Sequence, residues 1–231
     1  MSDPSGQVDV AAHLAEVRRR ISAAAEVAGR EPGDITLIAV SKSQPIERIT
    51  AALDAGQRVF GENYVQEAAG RWPALRERYG GTELHMIGAL QSNKAREAIG
   101  LFDVIQTVDR PKLAQAIGRE AERAGRQPRL LLQVNTGAEP QKAGVAPQDL
   151  DSLLHLCREE IGLPVEGLMA IPPEQDDVAM HTALLVKLAR RHGLTVVSCG
   201  MSADHEVAIR FGATHVRVGS AIFGPRAAKP R

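Results

Sequence analysis

The chain has 231 residues with 28 acidic and 28 basic side chains, a formal net charge of zero, and 44% apolar residues. That length suits one α/β barrel, expected here as a single domain over 1–231, and the charge balance gives no ground for a nucleic-acid or anionic-membrane partner. No stretch approaches a membrane span, the amino terminus lacks an export pattern, and Cys157 and Cys199 form neither a disulfide framework nor a zinc spacing, so a cytoplasmic protein is expected.

Residues 9–28 place Leu14, Val17, Ile21, Ala24 and Val27 at helical spacing, with Arg18, Arg19 and Arg20 mostly on the other face, which predicts an amphipathic helix. Ile35 to Lys42 is a near-continuous apolar run after a Pro-Gly break. It is too short for an average helix, suits a strand buried on both faces, and ends on a lysine. Helix and strand then alternate. A helix over 45–55 precedes strand 58–62, helix 63–78 precedes strand 83–87, and helix 92–99 precedes strand 103–107. A helix capped by the Asp109 region runs to about 124, followed by strand 129–135, helix 147–159, strand 165–171, helix 176–191, strand 195–199, helix 204–211 and strand 214–218. Eight strands in this rhythm predict a closed parallel (β/α)8 TIM barrel with an extra amino-terminal helix; the alternative is an open doubly wound sheet. Residues 225–231, rich in Pro, Ala and basic side chains, are read as a frayed tail.

In such a barrel the loops after the strands share one rim, and Lys42 stands there after strand one. Most lysines are solvated cations with a reference pKa of ~10.4. Desolvation or a neighbouring cation frees the neutral amine that attacks an aldehyde, which makes Lys42 a Schiff-base candidate; the alternative is a surface lysine at a strand end. Asn63, after strand two, either orients a ring substituent or caps the next helix. After strand seven, Gly200 lets backbone approach a ligand and Ser202 opens a helix; after strand eight comes Val218-Gly219-Ser220. Singly these are tight turns, but jointly, opposite Lys42, they make the phosphate cup that barrels often build at this place. Arg217 alternates with Val216 and Val218 and is expected to point into the barrel, as a partner for a buried carboxylate or as a donor to an acceptor on a ligand. Lys94 and Lys142 lie on the same rim, available to an anion or to solvent. No histidine shows metal spacing, and Cys199 is read as a small core residue.

Ala39-Val40-Ser41-Lys42, Phe60-Gly61-Glu62-Asn63-Tyr64-Val65-Gln66-Glu67, His85-Met86-Ile87-Gly88, Gln91-Ser92-Asn93-Lys94, Gly167-Leu168-Met169, Gly200-Met201-Ser202 and Arg217-Val218-Gly219-Ser220 closely resemble, in order and over about residues 8–224, the pyridoxal-phosphate homeostasis protein family. The resemblance implies a barrel like the amino-terminal domain of alanine racemase, with pyridoxal 5′-phosphate held as a Schiff base on Lys42. It implies that Met201, Ser202, Gly219 and Ser220 hold the phosphate, that Arg217 faces the pyridine nitrogen, and that Asn63 lies near the ring. It further implies a carrier acting in intracellular pyridoxal-phosphate homeostasis, without established turnover or catalytic residues, with pyridoxal-phosphate-dependent apoenzymes as candidate partners. Two departures stand out: Ala89 replaces a common proline, and the segment after Pro173 is short and lacks a customary Phe.

The competing reading is an amino-acid racemase or decarboxylase of fold type III. Such enzymes resemble a barrel followed by a β-rich domain that supplies a tyrosine acid/base, and neither Tyr64 nor Tyr79 follows the barrel in this way. That favours the carrier, and a monomer. A third reading, an enzyme acting on a phosphorylated sugar through a lysine Schiff base, would keep Lys42 and the cup but not need Arg217.

Overall fold

The computed structural model describes residues 8–139 and 141–225, so the expected tail from residue 226 onward lies outside the described residues. Helix α1 (Val10–Val27) forms where the apolar spacing predicts it. Asp9 caps it by accepting from the Ala12 N–H (2.9 Å), and Val10, Leu14, Val17, Ile21 and Ala24 are buried along one face. The chain then enters β1 (Thr36–Val40), α2 (Ile46–Asp54), β2 (Val59–Glu62), α3 (Val65–Ala69), α4 (Trp72–Arg78) and β3 (Glu83–Met86). It continues through α5 (Ala95–Leu101), β4 (Val104–Val108), α6 (Pro111–Ala124), β5 (Arg129–Gln133), α7 (Leu150–His155) and β6 (Val165–Met169). The last turns of the barrel are α8 (Val178–Arg191), β7 (Val196–Ser198), α9 (His205–Arg210), β8 (His215–Val218) and α10 (Ser220–Phe223). Every strand runs parallel to its sequence neighbour, and β8 pairs with β1, Arg217 opposite Ile38, so the sheet closes. This is the (β/α)8 barrel with an added amino-terminal helix that the alternation predicts.

Several local expectations need correction. The stretch 63–78, expected as one helix, is two. Pro73 has no N–H to continue a helical ladder and stands in the first turn of α4, while Arg71 leaves helical geometry and sends its guanidinium to the carbonyls of Ser41 (2.9 Å) and Gln44 (3.1 Å). Asp109 does not cap α6; Arg110 occupies the capping position and Asp109 accepts from its guanidinium (2.5 Å) instead. The 147–159 helix opens as a 3-10 turn at Pro147–Asp149 and ends in a π turn at Leu156–Glu160. Ser202 lies in the turn before α9, which opens at His205. Apolar runs also continue past the last paired residue, so the strands are shorter than the runs, and Lys42 sits in a turn beyond β1.

Alternation along the strands sorts the core. Leu37, Ala39, Leu84, Met86, Val216 and Val218 pack outward against the helices. The intervening positions His85, Gln106, Ser198 and Arg217 are also buried and fill the lumen with polar groups. Among the described residues no helix is long and apolar enough to cross a membrane.

Candidate functional site

At the carboxyl ends of the strands lies a cavity of about 430 Å³ lined by Lys42, Asn63, Met201, Ser202, Arg217, Gly219 and Ser220, with Val40, Gln44, Ile87, Ile171 and Glu174 among the others. The seven residues singled out from the sequence thus meet in one place. A cavity of about 520 Å³ lies at the opposite end, between α1 and the starts of β1 and β2. Its Gln57 is engaged with the protein, donating to the carbonyls of Leu37 and Val59 and accepting from Arg18.

Lys42 is half-buried on the turn Ser41–Gln44, and that turn is held from β2 and from the break between α3 and α4. The Ser41 N–H donates to the Gly61 carbonyl (3.0 Å), and the Ser41 hydroxyl donates to Glu62 Oε1 (2.5 Å). Arg71 and Trp72 donate to the same carboxylate oxygen, at 2.7 and 2.9 Å. Ser43 adopts φ 57°, a region costly for a residue with a Cβ, and its N–H is held by Glu67 Oε1 at 2.6 Å. Burial raises the Glu62 carboxyl above its ordinary value, with Arg71, Ser41 and Trp72 pulling the other way. Glu62 is read from the sequence only as part of a motif, without a role, and Arg71 is not singled out; the signals for them are Glu62 at the end of β2, next to Asn63, and the Gly70/Pro73 pair inside an otherwise helical pattern.

Asn63 does not cap α3. Tyr64 occupies that position with no side-chain cap, and Asn63 Oδ1 is buried at the cavity wall with no hydrogen-bond partner among the described residues. Gly88 makes the neighbouring path possible: a Cβ there would lie 2.3 Å from the Asn63 carbonyl oxygen. The two serine turns are tied together, because Ser202 Oγ accepts from the N–H of Gly219 (3.1 Å) and of Ala221 (3.5 Å). Gly200, at φ +94°, allows the first turn to press on α9, where a Cβ would come within 2.6 Å of Ala208 Cβ. The Met201 N–H is engaged by Asp204 Oδ1 at 2.6 Å.

Arg217 is buried, donating from Nη1 to Ser198 Oγ (2.7 Å) and from Nη2 to the Ala170 carbonyl (2.8 Å), so its recorded partners are a hydroxyl and a carbonyl rather than a carboxylate. Burial lowers its pKa from the ordinary guanidinium value. Lys94 and Lys142 are paired with Glu97 (2.8 Å) and Glu139 (2.6 Å). Cys199 is fully buried, accepts from the Thr182 hydroxyl, and has its thiol pKa raised by burial, in keeping with a core residue.

The family model described as alanine racemase, N-terminal domain, matches residues 12–227. A pyridoxal phosphate homeostasis protein of Escherichia coli strain K12 is 42% identical over 227 residues, which cover 94% of this chain and 97% of that protein. The chain belongs to the pyridoxal phosphate homeostasis protein family. The homeostasis-protein barrel is also similar to the solved structure of PipY from Synechococcus elongatus with pyridoxal phosphate bound, at 37% identity and a TM-score of 0.79 over 93% of this chain and 100% of that one. A protein of unknown function from Bifidobacterium adolescentis is 32% identical, with a TM-score of 0.88 over 96% of this chain and 98% of that one.

Proposed function

We propose that this chain binds pyridoxal 5′-phosphate at the barrel mouth, holds it as a Schiff base on Lys42, and serves intracellular homeostasis of that cofactor rather than turnover of a substrate. The reading rests on one cavity that joins a strand-end lysine, two serine turns and a buried guanidinium. The hydroxyls of Ser202 and Ser220 and the amide of Ser220 suit a phosphate dianion, and Gly219 adds its N–H only if Ser202 Oγ releases it. Met201 adds its N–H only if Asp204 releases it. Arg217 has donors and no acceptor, which suits an unprotonated ring nitrogen, and Asn63 Oδ1, buried with no partner among the described residues, suits a donor on the ring.

When bound, the cofactor supplies an aldehyde and an electron-withdrawing ring. Lys42 would hold it through its amine, which is a nucleophile toward an aldehyde only in the neutral form. Arg217 would place a cation beside the ring nitrogen, which disfavours its protonation and weakens the ring as an electron sink; racemases of this fold tolerate the same arrangement, so this residue alone does not separate a carrier from an enzyme. The name of the Escherichia coli relative, which refers to homeostasis, supports a carrier. Pyridoxal-phosphate-dependent apoenzymes are the proposed receivers. The family model's description favours a second reading, an amino-acid racemase or decarboxylase.

Two measurements test these readings, the first for the site and the second for carrier against enzyme. Borohydride reduction of the loaded protein followed by mass mapping is expected to label Lys42, and Lys42→Ala is expected to lose the adduct with an unchanged circular dichroism spectrum. Consistent labelling of another lysine sinks the reading. Incubation with L-alanine and other L-amino acids is expected to give little change in enantiomer composition; rapid saturable racemisation or decarboxylation that vanishes in Lys42→Ala puts the enzyme first.

A further inference from the structure

Arg217 is one end of a chain of hydrogen bonds that runs down the lumen of the barrel. Ser198 Oγ, which accepts from Arg217, stands 2.7 Å from Gln106 Oε1; Gln106 Nε2 stands 2.7 Å from His85 Nδ1; and His85 Nε2 stands 2.5 Å from Glu83 Oε1. Glu83 in turn pairs with Arg129 at 2.6 Å. Ser198 lies on β7 and Gln106 on β4, which are not neighbours in the sheet, so that link spans the inside of the barrel. Ser198 and Gln106 are fully buried, His85 is 1% exposed and Arg217 4%. The Glu83 and Arg129 side chains are 32% and 40% exposed, so the chain ends near solvent at the far mouth.

Both ends fix its polarity. Arg217 can only donate, so the Ser198 oxygen accepts from it and the Ser198 proton goes on to Gln106. The amide oxygen of Gln106 is then used, its N–H faces His85 Nδ1, and that nitrogen must offer a lone pair. His85 therefore carries its proton on Nε2, directed at Glu83, an acceptor when ionised and held at a pKa of about 2, chiefly by that bond. A barrel lumen is ordinarily filled by branched apolar side chains, and a buried polar chain is tolerable only if each member is satisfied. Here each member has one assignment, and the assignments agree from end to end.

We infer that Gln106 and His85 are positioning residues for the cofactor site, holding the Arg217 guanidinium in one orientation toward the ligand ring through Ser198. This deepens the proposed pyridoxal-phosphate reading and rests on it for what Arg217 faces. Ser198 and the Ala170 carbonyl together fix the plane of the guanidinium, and Ser198 can serve only while Gln106 takes its proton.

The first test needs no cofactor. Nitrogen-15 NMR of the histidine rings in the apoprotein is expected to show His85 neutral near pH 7 with the proton on Nε2, whereas a charged ring or an Nδ1 proton overturns the chain. The second test titrates Gln106→Leu and His85→Leu apoproteins with pyridoxal phosphate. Loss of an orienting hydrogen bond to a charged donor is expected to weaken retention by about tenfold and to shift the visible absorption band, with the reducible adduct still on Lys42. Variants that lose thermal stability yet keep the affinity and the spectrum of the unaltered protein overturn the positioning role. Absence of any adduct in the unaltered protein overturns the cofactor reading and, with it, the role of Arg217; the nitrogen signals report on the chain by themselves.

Discussion

The Ser202 hydroxyl accepts two backbone N–H groups, from Gly219 and Ala221, and has one proton to give into the cavity. Replacing it removes a charge-assisted donor to the proposed phosphate and also loosens the link between the two turns. Ser202→Ala and Ser220→Ala are each expected to weaken pyridoxal phosphate binding by roughly 1.5–3 kcal/mol, read by equilibrium dialysis. Unchanged affinity in the double variant would mean that the phosphate sits elsewhere. Lys42, Ser202, Ser220 and Arg217 are legible in the sequence because each follows from a positional rule: strand ends share a rim, small residues make tight turns, and every second strand residue faces inward. Glu62 and Arg71 obey no such rule. They are linked by a contact between the end of β2 and a helix break, and the helical pattern of 63–78 hides that break.

At the scale of the element, the lysine turn is built from the strand and helices beside it rather than from its own residues. Glu62 Oε1 gathers Ser41, Arg71 and Trp72, and Arg71 also holds the Ser41 and Gln44 carbonyls, so one buried carboxylate fixes both flanks of Lys42. Glu62→Ala takes the shared acceptor from Ser41, Arg71 and Trp72 and leaves the Arg71 guanidinium, whose side chain is 14% exposed, with Glu67 at 3.0 Å as its remaining counter-charge. Breaking a buried pair from one side costs about 3–5 kcal/mol when the remaining charge is left uncompensated; with Glu67 still beside Arg71, denaturant unfolding is expected to show a loss below that range. Glu62→Gln retains an acceptor oxygen and should lose much less, while keeping the Lys42 adduct. Equal losses in the two variants would mean that the charge, which both remove, holds the turn, and that the acceptor oxygen and shape kept by Glu62→Gln do not.

For the whole molecule, acid is the condition that separates the buried histidines from the carboxylates. Burial lowers His215 from an ordinary 6.5 to about 4 and lowers His85 and His205 in the same direction. Between these values the unfolded chain takes up protons that the folded chain refuses, so stability falls as pH drops from 6.5 toward 4. Glu83 is depressed from 4.5 to about 2, so its contribution is present above 4.5 and is lost as pH falls through about 2. Unfolding midpoints against pH should therefore decline in two stages, and His215→Phe should flatten the first; a flat profile between pH 6.5 and 4 in the unaltered protein contradicts this. The closing of the barrel has a consequence in time as well. The lysine leaves β1, the serine turns leave β7 and β8, and β1 finds its second neighbour only in β8, while α1 packs across the same seam on α9 and α10. During synthesis the lysine strand emerges early and its partner last, with nearly the whole barrel made between them. A nascent chain halted between Lys42 and Val218 carries the lysine but has no closed pocket around it, so capture of the cofactor would mark a barrel whose translation is complete.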